Sequence, residues 1–169
     1  MVRRSKIPTA TELCCTTARG HRRTANNMSI QFASAVPQFT VPDVVQTAEY
    51  YRDVLGFQIA GYWDGESASM EPSEPPVFGI VWRGKVEIFF SRADDSPVRT
   101  GRARFALDAY IRITGVDELA TELRERGADI IDGPIDRIYH ERELVVRDCN
   151  GLVLCFGEEI RQRSGESSG

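Results

Sequence analysis

The sequence predicts an α+β fold made of two tandem βαβββ modules that form a cleft, and three observations lead there. A strand–helix–strand order occurs twice, in "SAVPQFTVPDVVQTAEYYRDVLGFQIAGYW" and in "DAYIRITGVDELATELRERGADIIDGPI". The two helices have equal spans, 13 residues from Asp43 to Gly56 and 13 from Thr114 to Gly127, as an internal repeat requires. Each half then closes with a pair of short alternating strands joined by a turn.

The elements follow in chain order. Val44, Ala48, Tyr51 and Leu55 recur at helical spacing, with Asp43 as N-cap, Gln46 at the capping-box position and Gly56 as C-cap. "VFGIVWRGKVEIFFSR" reads as a hairpin turning at Arg83–Lys85, with Val86, Ile88 and Phe90 on one face and Glu87 and Phe89 on the other. The second helix carries Val116, Leu119, Ala120 and Leu123, and Thr114 with Asp117 forms its expected capping box. "ERELVVRDCNGLVLCFGE" is a second hairpin, turning at Asp148–Gly151. A single helix cannot cover both faces of such a sheet, so pairing two modules leaves a cleft as the default ligand site.

These boundaries give one domain over residues 28–160, with module one at about 33–95 and module two at about 105–159. Residues 1–27 are basic and poor in apolar periodicity, and residues 161–169 are too polar to pack; both read as disordered tails. Residues 1–27 carry a balance of +5, so the remainder carries −9 of the net −4. An acidic body argues against nucleic acid as a partner, since phosphate neutralisation needs clustered Lys and Arg, and is compatible with a cationic small ligand. No stretch approaches 18 uninterrupted apolar residues, which argues against a membrane helix. The four cysteines, Cys14, Cys15, Cys149 and Cys155, lack the spacing of a disulfide framework or a zinc site, so a reducing cytoplasm is expected.

The doubled pattern, with "VPDVVQTAEYYRDVLGF" opening one half and "GVDELATELRERGADI" and "ELVVRDCNG" in the other, resembles the vicinal oxygen chelate superfamily. That group includes glyoxalase I, extradiol dioxygenases, methylmalonyl-CoA epimerase and the bleomycin-resistance proteins. "SAVPQFTVPDV", "GIVWRGKVEIFFS", "GVDEL" and "RELVVRDCNG" look most like the bleomycin-resistance branch. Enzymes of the superfamily hold a divalent metal with His and Glu on facing strands. The resemblance puts those positions at Val36, near Asp108 and at Cys155, with Glu87 the one retained strand carboxylate. Valine cannot ligate a metal, and of two histidines His21 lies in the N-terminal tail, so neither a metal nor another cofactor is expected.

The expected ligand-binding residues are Tyr62, Trp63, Trp82, Glu87, Asp108, Tyr110, Tyr139, His140 and Cys155, and none is assigned a catalytic role. The resemblance makes Tyr62 a stacking residue of the cleft wall, and Trp63 and Trp82 are further aromatic candidates. Glu87 is an inward carboxylate for a cationic group. His140 is a donor or base candidate in the loop before the last hairpin, and Cys155 a cleft thiol. The function expected is sequestration of a planar, partly cationic, antibiotic-like molecule without turnover. The resemblance also implies a homodimer, whether simple or strand-exchanged. Two alternatives stand beside it: a lyase or dioxygenase with an atypical metal site from Glu87, Asp108 and His140, and a dimerisation module with no small ligand.

Overall fold

In a computed structural model of the chain, the described residues are 33–71, 74–94 and 106–160. The tails expected over residues 1–27 and 161–169 lie outside them. Module one runs β1 (Gln38–Val41), α1 (Val44–Asp53), β2 (Gln58–Trp63), β3 (Ala68–Ser69), β4 (Phe78–Arg83) and β5 (Val86–Arg92). Module two runs β6 (Ala109–Arg112), α2 (Val116–Glu125), β7 (Asp129–Asp136), β8 (Glu141–Arg147) and β9 (Val153–Glu159). The sheets are ordered β1-β5-β4-β2-β3 and β6-β9-β8-β7. In each, the first strand pairs parallel with the last and every other pairing is antiparallel. This is the fold of two βαβββ modules, with the two-residue β3 added to the first.

Both expected helices form, each ten residues long. Asp43 caps α1, its carboxylate accepting from the Gln46 amide at 2.9 Å. The start of α2 departs from expectation. Its N-cap is Gly115, in a left-handed conformation, without a side-chain cap of its own. The carboxylate of Glu158, on β9, accepts instead from the amides of Gly115 and Val116 at 2.9 and 3.1 Å. A residue 43 positions away thus does what Thr114 and Asp117 were expected to do.

Alternation fixes which face of each sheet a helix covers. Val41, Val81, Ile88 and Phe90 are fully buried beside α1, while Leu144, Val146 and Leu154 are fully buried beside α2. One apolar core runs through both modules. A buried polar latch also joins them: the Tyr51 hydroxyl of α1 donates to Asp148, in the β8–β9 turn, at 3.1 Å. Asp148 additionally accepts from the amides of Asn150 and Leu152, each at 2.8 Å. Desolvation holds its carboxyl above the ordinary range, against the lowering effect of these three hydrogen bonds. No described helix is long and apolar enough to cross a membrane.

Candidate functional site

The faces turned away from the helices carry the candidate site. In module one the cross-strand pairs Trp63–Phe78, Ile80–Phe89 and Trp82–Glu87 share one side of the sheet. Phe78 and Phe89 meet edge to face, with centroids 5.3 Å apart. Trp63 is 47% exposed and Trp82 37%, so the single chain presents an aromatic floor to solvent. Glu87 lies at one end of that floor, exposed, on the face that alternation assigned to it.

In module two the corresponding face holds Tyr110, Cys155, Val145, Glu143 and Gly157, related by the β6–β9–β8 register. Glu143, which sequence reasoning did not single out, is the centre of this half. It is 5% exposed, and its carboxylate accepts from Arg137 Nε at 2.8 Å and from the Tyr139 hydroxyl at 2.9 Å. Arg137 also reaches Asp132 at 2.6 Å. Tyr110 lies across β9 from it, its hydroxyl 3.5 Å from Glu141. Burial, then the hydrogen bond to Glu143, pushes the Tyr110 hydroxyl well above the usual phenol range. The Cys155 thiol, fully buried, is pushed up to about 12, first by desolvation and then by the charge of Glu143. A side chain at Gly157 would collide with the Tyr110 ring, so glycine there lets the ring lie flat across β9.

The two halves meet at the seam between modules. A cavity of about 190 Å³ is lined by residues 34–37, 85–87 and 110–112, so Glu87 and Tyr110 border one space. Six of the nine expected residues therefore lie on the open faces or the loop over them: Trp63, Trp82, Glu87, Tyr110, Tyr139 and Cys155.

Three are placed elsewhere. Tyr62 is 5% exposed and packs in the core; it pairs with Gly79, whose missing side chain would touch both Val44 of α1 and the Tyr62 ring. It therefore faces α1, and Trp63 takes the open side. Asp108 precedes β6, and its carboxylate accepts from the Val153 amide at 2.8 Å, anchoring the strand pair. His140 stands exposed on the β7–β8 turn with φ of 62°, a corner residue and not a cleft wall. The metal positions fare likewise. Val36 precedes β1, Asp108 holds the Val153 amide and His140 stands on the β7–β8 turn, so the metal positions do not come together as a set with Glu87 and Cys155. Among the described residues no three His, Cys, Asp or Glu side chains are arranged to hold a metal ion. The donor set does not fit the superfamily's metal.

Paired βαβββ modules define a class of protein, and the comparisons agree on it. The chain belongs to the glyoxalase/bleomycin resistance protein/dioxygenase superfamily, whose model matches residues 32–156. A bleomycin resistance protein of Geobacillus stearothermophilus is 28% identical over 131 residues, which is 75% of this chain and 97% of that protein. A bleomycin resistance protein of Staphylococcus aureus matches to the same extent. Among solved structures, TioX from Micromonospora sp. ML1 gives a TM-score of 0.58 at 17% identity, over 76% of this chain and 99% of that one. The bleomycin resistance determinant encoded on the transposon Tn5 gives 0.56 at 18% identity, over 76% and 98%. At these identities the structural likeness is one of fold.

Proposed function

We propose that the protein is a metal-free binder of the bleomycin-resistance type, a cytoplasmic homodimer that sequesters a planar, partly cationic compound without turning it over. The observation that carries this reading is the composition of the open faces. Trp63, Phe78, Trp82 and Phe89 offer flat apolar surface on one sheet, Glu87 supplies negative charge at its border, and across the seam Glu141 and Glu143 stand in ion pairs with Arg112 and Arg137. Aromatic faces favour planar and cationic groups over neutral aliphatic ones. Exposed aromatic surface of this kind also marks a place another surface covers, which supports a second copy closing the cleft. The names of the relatives support the drug class. Calorimetric titration with bleomycin tests the reading. Saturable heat with one ligand per cleft is expected; heats no larger than dilution at high protein concentration would remove the drug assignment.

The lyase or dioxygenase reading is not favoured, because Asp108 and His140 do not converge with Glu87. A ligand-free dimerisation module would need its open face plugged by the chain's own side chains, whereas Trp63 and Trp82 stay accessible.

A further inference from the structure

We infer that Glu143 is the counter-ion for a guanidinium-like planar cation on the ligand, and that Arg137 occupies that position until the ligand arrives. The inference rests on the open face being the ligand site. It adds the residue that selects the ligand's charge and the group that competes with it.

The geometry has three parts. First, the Glu143 side chain is 6% exposed yet lies on the open face, where a buried carboxylate is costly unless a cation meets it. Second, the cation that meets it comes from the β7–β8 loop and not from the sheet itself. Arg137 is 27% exposed and bridges two carboxylates, with Nε on Glu143 at 2.8 Å and a terminal nitrogen on Asp132 at 2.6 Å. Losing Glu143 would leave it paired with Asp132, which is half exposed. Third, the neighbourhood already accommodates guanidinium groups. Arg112 lies 5.7 Å from the centroid of the Tyr110 ring, and the Tyr139 hydroxyl holds the other Glu143 oxygen at 2.9 Å.

An incoming planar cation can thus exchange with Arg137 at modest cost. The chain gives up one of two ion pairs on Arg137, and Glu143 receives a planar charged donor in place of the single Arg137 Nε–H, its other oxygen staying with Tyr139. The position that Arg137 vacates is that of a flat, weakly hydrated guanidinium, which a compact, strongly hydrated ammonium matches less well, and this favours guanidinium and amidinium groups over amines.

Two measurements test this on the full chain. In the first, bleomycin is titrated against wild type, Glu143→Gln and Arg137→Met, with melting temperature and oligomeric state recorded for each. Glu143→Gln is expected to weaken binding by about tenfold or more, since one charge-assisted contact is lost. Arg137→Met is expected to tighten it, because the internal competitor is gone. Opposite signs are the signature; equal weakening by both, or no change in Glu143→Gln, would overturn the inference while leaving bleomycin binding intact. In the second, the Arg137 Nε–H resonance is followed as guanidinium chloride, or sodium chloride at equal ionic strength, is added below the denaturing range. A shift specific to guanidinium, absent in Glu143→Gln, supports the exchange even if bleomycin does not bind. No difference between the two salts sinks it.

Discussion

Replacing Asp148 with alanine tests whether the two modules are locked by the buried latch or only by apolar packing. The change strands the Tyr51 hydroxyl and the Leu152 amide, both buried, and the Asn150 amide, which is partly buried and within reach of water. A buried donor left without an acceptor costs about 1–3 kcal/mol, so the two buried ones set an expected loss of roughly 2–6 kcal/mol. Tyr51→Phe removes only the hydroxyl and keeps the ring, which packs edge to face on Phe90 at 4.9 Å and on Phe57 at 5.6 Å. Its expected cost is about 1 kcal/mol. In the double variant the hydroxyl is no longer stranded, so the combined loss should fall short of the sum by about 1–2 kcal/mol. Urea unfolding of the four proteins at one pH gives the cycle directly. A loss below about 0.5 kcal/mol for Asp148→Ala, or additivity within error, would show that packing alone joins the modules.

Three further outcomes are expected. The Asp148 carboxyl is held above its ordinary range, so its contribution is complete below the unfolded-state carboxylate value and is lost as pH rises through the folded value. The stability gap between wild type and Asp148→Asn should therefore narrow with rising pH across that window; a gap that widens refutes the assignment. Gly157→Ala should push the Tyr110 ring off β9, lowering stability by about 1–3 kcal/mol and weakening ligand binding, read by melting and calorimetry. An alanine variant with wild-type affinity would show that Tyr110 plays no part in binding. Cys155, buried with its thiol pushed up to about 12, should resist alkylation until the chain unfolds, whereas exposed Cys149 should label before it in peptide mass spectrometry. Rapid labelling of Cys155 in the native protein would contradict its burial.

Much of the fold was legible because its signals are local. Helical spacing, the Asp43 cap and the turns at Gly84 and Gly151 each depend on residues within one turn or one hairpin. The failures depend on distant or irregular partners. The Gly115 cap comes from Glu158, a contact no local pattern encodes. The resemblance puts both Tyr62 and Trp63 at the cleft, whereas the register shift between Ile59 and Gly61 changes the parity of β2 and turns Tyr62 to the core and Trp63 to the open face. Glu143 was missed although a signal existed. Counting across the Asp148–Gly151 turn pairs Val145 with Cys155 and Glu143 with Gly157, so the reasoning that placed Cys155 inward should have carried Glu143 with it.

The charge at the centre of module two bears on why this scaffold would hold a ligand and not a metal. A divalent ion needs several donors converging from facing strands with their lone pairs uncommitted. Here Glu143 has its oxygens taken by Arg137 and Tyr139, and the Cys155 thiol beside it is kept protonated by burial first and then by that same carboxylate. Placing a dication there would require displacing Arg137 and recruiting further donors, and among the described residues no three His, Cys, Asp or Glu side chains are arranged to supply them. A planar monocation requires only the first of these. Committed oxygens and a missing donor set, rather than the sign of the charge, stand against chelation, and both are read at one glutamate held on the helix-free side of β8.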